Sequence, residues 1–140
     1  MEKQAEYNAG VRIDKLIDEL PAGLDRALLR VLSFHTGRGL AISRGDLVST
    51  LWTSHGMNVH ERAVRAQINL MRKQGFPICS TGGEEGGYWL AAGWDELLEY
   101  LEREIHSRAM DLLEQEGALR RAAEMRWGVY SAEKQTRMEI

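Results

Sequence analysis

The sequence has 140 residues, of which 44% are hydrophobic and 28% charged, as expected for one globular domain with a short appended helix. This length excludes a barrel enzyme and two independent cores. Eighteen Lys and Arg against 21 Asp and Glu give a formal charge of −3, so the overall charge does not attract the protein to nucleic acid or to an anionic membrane.

The sequence also bears on the cellular compartment. No apolar run approaches the roughly 20 residues that cross a bilayer, and the N-terminal residues lack the pattern of a secretory signal peptide. The single cysteine, Cys79, cannot form an internal disulfide. We therefore expect a cytoplasmic protein that does not bind membranes.

Charge is distributed unevenly along the chain. Residues 35–80 carry six Lys and Arg against two acids, a local charge of +4, whereas residues 94–140 carry 11 acids and seven bases. A basic centre between acidic flanks favours a nucleic-acid-facing middle. From charge alone, chance clustering of basic residues on a solvated helix surface explains this distribution equally well.

The first predicted elements are two helices. Residues 1–23 form an N-terminal segment whose apolar residues, Ile13, Leu16, Ile17 and Leu20, share one face of a short packing helix that stops at Pro21. A second helix is predicted from Leu24 to Phe34. It ends in the glycines of residues 37–39, which permit the chain to turn.

A short strand over residues 40–42 precedes the next helix. Ser43 is followed three residues later by Asp46, which is typical of a helix N-cap. Leu47 and Leu51 supply the buried face of this helix, and Trp52 is expected to close it and to belong to the core. The helix is expected to end at residues 53–56.

Another cap pattern, Asn58 followed by Glu61, predicts a helix that runs to Gly75. Its inner stripe is Val64, Ile68 and Met71. At 100° per residue, four polar side chains fall on the opposite face. They are Arg62, Arg65, Asn69 and Lys73.

Beyond Gly75, residues 76–80 and 88–91 read as two strands joined by a glycine-rich loop, which predicts a β-hairpin that buries Cys79 and Trp89. A long helix follows from Trp94 to about residue 115. Gly117 is expected to break or bend it, with residues 118–125 resuming it. Residues 93–125 therefore form a C-terminal helical segment, and residues 126–140 form a tail.

The order helix, short strand, helix, tight turn, helix, hairpin is that of a winged helix-turn-helix. The stretch from Arg62 to Ile78, followed by Gly86-Gly87-Tyr88-Trp89-Leu90, resembles winged-helix domains of the DeoR and biotin-repressor type, as found in small phage and prophage regulators. The resemblance covers about residues 24–92. The predicted class is mainly α with a small β-hairpin (α+β): a winged helix-turn-helix plus a long C-terminal helix.

The resemblance implies DNA binding through the third helix. Arg and Asn can form bidentate hydrogen bonds with guanine and adenine, so we predict that Arg62, Arg65 and Asn69 read bases. Other polar residues are expected to contact phosphates, namely Arg44, Lys73, Arg72 and His60. The expected wing tip carries Glu84 and Glu85, which would repel a phosphate backbone.

No pattern in the sequence predicts catalysis. The four histidines and Cys79 lack the spacing of a metal site, the hairpin glycines precede no helix, and no nucleophile lies in a recognisable motif. We therefore expect no enzyme activity, no metal and no cofactor.

The long helix predicts a homodimer. Leu98, Leu101, Ile105 and Leu112 approximate the core positions of a heptad, although Arg108 interrupts them. The alternative is that this helix packs against residues 11–34 of its own chain.

These patterns predict a dimeric transcriptional regulator that binds double-stranded DNA. The alternative is a winged-helix module that binds a protein, for example a host factor, through the acidic C-terminal helix.

Overall fold

A computed structural model describes residues 11–83 and 86–129, with side chains from Asp14 onward. The chain divides into two compact units, with the boundary between Leu101 and Glu102. Several predictions lie outside the described residues, namely those on residues 1–10, on the expected wing tip Glu84 and Glu85, and on residues 130–140 of the tail.

The described chain is mainly helical with a small antiparallel sheet, which confirms the predicted α+β class. The helices are α1 (Val11–Glu19), α2 (Leu24–Leu32), α3 (Arg44–His55), α4 (Glu61–Lys73), α5 (Trp94–Tyr100) and α6 (Ser107–Trp127). The strands are β1 (Ile42–Ser43), β2 (Ile78–Ser80) and β3 (Gly87–Leu90). A 3₁₀ turn spans Arg38–Leu40, and π-helical backbone spans Leu101–His106.

The sheet has three strands in the order β1-β3-β2, all antiparallel. Ile42 lies opposite Tyr88, and Cys79 lies opposite Trp89. The predicted hairpin is therefore present, and the short strand predicted over residues 40–42 is β1, displaced toward Ser43. This strand adds to the free edge of β3 and completes the sheet.

Two clusters of buried side chains hold the first unit together. The larger lies between the sheet and the helices α1 to α4; its least exposed members include Leu28, Leu32, Leu47, Leu51, Ile68, Met71, Ile78 and Leu90. The smaller joins Cys79 and Trp89 of the hairpin to Tyr100 of α5. The predicted burial of Cys79 and Trp89 is thus confirmed.

One of the two predicted helix caps is present. The Ser43 hydroxyl accepts a hydrogen bond from the Asp46 N–H at 3.1 Å and caps α3 as predicted. The predicted cap at Asn58 is wrong, because α4 begins at Glu61 with His60 as its N-cap. Met57 and Val59 pack against the core, so the residues around Asn58 belong to the connection between α3 and α4 and not to the first turn of α4.

Two further predictions are corrected. Trp52 is 58% exposed and does not belong to the core, because it lies about 100° round α3 from the buried Leu51. Gly117 neither breaks nor ends the C-terminal helix, since α6 continues through it to Trp127. A glycine inside a helix costs only about 1 kcal/mol, and the Arg120–Glu116 pair at 2.8 Å bridges the turn that contains it.

Candidate nucleic-acid interface

The turn between α3 and α4 sets the direction of α4. Gly56 adopts a left-handed conformation with φ of 65°, which favours glycine. The N–H groups of Gly56 and Met57 donate to the carbonyls of Trp52 and Leu51 at 3.0 and 3.1 Å and close α3. Five residues later α4 begins, and the half-buried Met57 and Val59 hold the turn against the core.

The inner face of α4 matches the prediction. Val64, Ile68 and Met71 are at most 2% exposed and pack into the larger core. Their burial fixes the rotation of the helix, so the opposite face points to solvent. This face is the candidate interface.

The four predicted residues of this face are all exposed, namely Arg62, Arg65, Asn69 and Lys73. None of their side chains forms a hydrogen bond or ion pair with another residue of the described ranges 14–83 and 86–129. Three cations and one carboxamide are therefore available to an external ligand on a single helix. In the middle of the face, Ala66 is exposed and small, which leaves room for the longer side chains around it.

Arg72 has a different role from the predicted phosphate contact. Its Nε donates to the Ile78 carbonyl at 2.7 Å, and its Nη2 donates to the Ser80 hydroxyl at 2.9 Å. The guanidinium also lies 5.3 Å from the centre of the Tyr100 ring, within range of a cation–π interaction. Arg72 thus joins α4 to β2 and α5, and these contacts make its guanidinium less available to a phosphate than the exposed side chains of α4.

Arg44 is half-buried at the first position of α3 and faces the hairpin loop. Its two terminal nitrogens donate to the carbonyls of Thr81 and Gly83, both at 3.4 Å. These are long hydrogen bonds and correspondingly weak. The Arg44 guanidinium therefore supports the base of the loop, and a phosphate oxygen would have to share it with these carbonyls.

His60 is exposed at the N-terminus of α4, where N–H groups and the helix dipole favour an anion.

The backbone approaches two glycines of the hairpin very closely. A Cβ on Gly86 would lie 2.4 Å from the Thr81 carbonyl oxygen, and one on Gly87 would lie 2.4 Å from the Ile42 carbonyl oxygen. Only glycine fits this close approach of the strands and the loop.

Arg72 has partners that the sequence reasoning missed. Ser80 and Tyr100 were not assigned to the site, although both contact its guanidinium. The angular position of Arg72 offered a signal: at about 80° from Val64, it lies nearer the buried stripe than the four residues of the outer face. A long cationic side chain at the edge of a buried stripe often turns back onto its own protein.

Cys79 is fully buried, and burial raises the pKa of its thiol from 9.0 to about 12; the Glu96 charge adds to the rise and Arg72 opposes it. In the unfolded chain the thiol ionises near its ordinary pKa. Between about pH 9 and 12 the unfolded state therefore releases a proton that the folded state keeps, and ionisation favours unfolding.

We expect the free energy of unfolding to fall as the pH rises through this window, and the Cys79→Ala variant to lose this part of the fall. Urea denaturation of both proteins at about pH 8 and about pH 10 measures the difference. An identical loss of stability in both proteins would contradict the assignment. Below pH 9 the thiol stays protonated in both states and the effect is absent.

The four residues predicted to form a dimer interface fall into both units. Leu98 and Leu101 are 39 and 38% exposed in the first unit, and Ile105 and Leu112 are 43 and 63% exposed in the second. Each of them presents apolar surface to solvent.

Among the described residues, no helix is long and apolar enough to span a bilayer. No group of three or more His, Cys, Asp and Glu side chains there is arranged to hold a metal ion.

The chain matches no family model, no curated protein and no solved structure.

Proposed function

We propose that this chain is a cytoplasmic winged helix-turn-helix regulator that binds double-stranded DNA as a dimer. The observation that carries the proposal is the outer face of α4, where Arg62, Arg65, Asn69 and Lys73 are exposed and have no partner among the described residues. A helix fits the major groove of B-DNA, and its side chains can reach base edges there.

Each residue of the face has a role suited to its chemistry. Arg62 and Arg65 would donate paired hydrogen bonds to guanine, and Asn69 would pair with adenine. Lys73 would neutralise a phosphate, and His60 would donate a hydrogen bond to one. Arg44 would contribute only by sharing its guanidinium between a phosphate and the carbonyls of the hairpin loop.

The element order around α4 supports the same proposal. The five-residue turn after α3 presents α4 as the second helix of a helix-turn-helix, and the β2–β3 hairpin follows it directly. The local charge of residues 35–80 is +4, so the surface that carries α4 attracts a polyanion although the whole chain is acidic.

The test is fluorescence anisotropy of the full-length protein on pooled random-sequence duplexes across a salt series. The binding constant should fall log-linearly with salt, with a slope of about −0.9 for each phosphate contacted. The Arg62→Glu, Arg65→Glu variant should show no measurable binding even at about 50 mM salt, because its face repels phosphate. Lys73→Ala should keep binding but make the slope shallower by about 0.9.

The matched control is Lys15→Glu, Arg38→Glu, which changes the net charge by the same amount at exposed positions outside α4 and α6. It should bind DNA nearly as the original protein does. An equal loss of DNA affinity in both variants would show that binding depends on net charge alone and not on the α4 face. A wild-type protein that does not bind at about 50 mM salt would overturn the proposal.

A protein-binding module is the second candidate, and exposed apolar side chains favour it. Trp52 on α3 and Leu70 on α4 are 58 and 53% exposed, and Phe34 after α2 is 75% exposed. Large aromatic residues are enriched at protein interfaces and contribute much of their binding energy. If DNA binding fails, capture of partners with the wild type and a Trp52→Ala variant as bait becomes the informative experiment.

A further inference from the structure

Helix α6 leaves its large apolar side chains in water. No residue of α6 is buried, and its leucines at 112, 113 and 119 are 63, 59 and 71% exposed. Helices in proteins gain most of their stability by packing an apolar face against another surface. A partner surface for α6 is therefore needed.

One face of the second unit carries a regular apolar stripe. Ile105, Leu112 and Leu119 recur every seven residues, and successive members lie about 20° apart around the helix. Ala109 and Ala123 lie on the same side of the helix. Met110, by contrast, lies about 160° away from Leu112. The stripe has the heptad spacing of a two-helix seam, with large residues at one core position and Ala109, Glu116 and Ala123 at the other.

The charges of this helix are polarised along its length. Residues 102–116 carry five acids and two arginines, whereas residues 117–127 carry three arginines and one glutamate. Two parallel copies would align acidic with acidic and basic with basic segments. Two antiparallel copies that cross at Leu112 bring the basic residues 117–122 of each beside residues 102–107 of the other, which carry two acids and one arginine. Coulomb attraction between these ends favours antiparallel over parallel pairing.

We propose that α6 pairs antiparallel with α6 of a second copy of this chain, with the two-fold axis at Leu112. The stripe is symmetric about this residue, so Leu112 meets the partner's Leu112 and Ile105 meets the partner's Leu119. The inference rests on the dimer of the proposed function and specifies its surface and orientation. It extends the predicted interface beyond residue 115.

The same symmetry accounts for the charge that interrupts the stripe. Glu116 follows Leu112 by four residues, and Arg108 precedes it by four, so each is level with the other on the partner helix. Within one copy, Glu116 pairs with Arg120 at 2.8 Å and Arg108 pairs with Glu104 at 3.5 Å. Exposed pairs of this kind contribute at most about 1 kcal/mol, so both side chains can turn to the partner at little cost.

Disulfide cross-linking of full-length single-cysteine variants tests the orientation. Cys79 is fully buried, so an introduced cysteine is the reactive one. Leu112→Cys should form a disulfide dimer on oxidation, and so should a mixture of Ile105→Cys and Leu119→Cys. Ile105→Cys alone should not, because the two copies of residue 105 would be about 21 Å apart along the axis, well beyond the reach of a disulfide.

The outcomes separate the possible arrangements. Cross-linking of Ile105→Cys alone as efficiently as Leu112→Cys would indicate parallel pairing and overturn the proposal. Failure of Leu112→Cys to cross-link would overturn it as well. Met110→Cys, on the opposite side of the helix, should remain uncross-linked and controls for random collision.

The oligomeric state supplies a second measurement. By light scattering at tens of micromolar, the wild type should have the mass of a dimer, Leu112→Glu that of a monomer, and Met110→Glu that of a dimer. Residues 112 and 110 are both exposed, at 63 and 52%, so neither carboxylate disturbs a core. A monomeric wild type or a dimeric Leu112→Glu would overturn the proposal. No DNA is present in either experiment, so this inference and the DNA-binding proposal can fail separately.

Discussion

Replacing Gly87 with alanine is expected to destabilise the first unit by about 3 kcal/mol or more, because the new methyl group has nowhere to go. Its Cβ would lie 2.4 Å from the Ile42 carbonyl oxygen and 3.0 Å from the Ile42 carbonyl carbon. Both are backbone atoms of β1, so relief requires β1 and β3 to separate. Ile42 and Leu90 on these strands are both buried in the larger core.

Urea denaturation followed by tryptophan fluorescence measures this loss, since the buried Trp89 lies on β3. Gly45→Ala is the matched control. A Cβ at Gly45 meets nothing within 4 Å, and this residue lies inside α3, where alanine favours the helix by up to about 1 kcal/mol. The same substitution should thus change stability in opposite directions at the two glycines. A neutral Gly87→Ala would show that the sheet adjusts more freely than its geometry suggests.

The second large effect is expected at Arg72, where substitution by alanine should lower the free energy of unfolding by about 2 kcal/mol. Hydrogen bonds that involve a charged group contribute about 1.5–3 kcal/mol each, and partial exposure to solvent reduces that value. The substitution removes the donors to the Ile78 carbonyl and the Ser80 hydroxyl as well as the contact with Tyr100.

The neighbouring Lys73→Ala variant removes the same charge from an exposed position and should change stability by no more than about 0.5 kcal/mol. DNA binding should depend on Lys73 and not on Arg72, the reverse of the expected effects on stability. Under the proposed function, Lys73→Ala makes the salt dependence shallower, whereas Arg72→Ala leaves the slope unchanged at temperatures where it remains folded. A shallower slope for Arg72→Ala would return Arg72 to the phosphate contacts.

Much of the fold could be predicted because its signals are local. The spacing of Val64, Ile68 and Met71 determined the buried face of α4 and, by geometry, which side chains are exposed. The Ser43 cap and the hairpin strands are likewise encoded by residues close together in the sequence. The exposed cationic face followed from the same helical period.

The features that escaped prediction depend on distant parts of the chain. The partners of Arg72 include Tyr100, 28 residues away, and no helical period indicates that contact. Pairing of β1 with β3 joins Ile42 to Tyr88 through the tertiary fold. Asn58 satisfied a local cap pattern, yet Met57 and Val59 pack against the core, and α4 begins only at Glu61. Tertiary packing thus overrode a local preference at Asn58, and at the other two places it formed contacts that no local pattern encodes.

The two ends of α4 are held with unequal strength. At its C-terminal end Arg72 ties the helix to β2 and α5, and the N–H groups of Gly75 and Phe76 close the last turn on the carbonyls of Arg72 and Met71. At its N-terminal end His60 provides no side-chain hydrogen bond to the free N–H groups. Local opening therefore costs less free energy at the end that carries Arg62 than at the end that carries Lys73. The first turn of α4 can adjust to an incoming ligand while the last turn keeps its place in the fold.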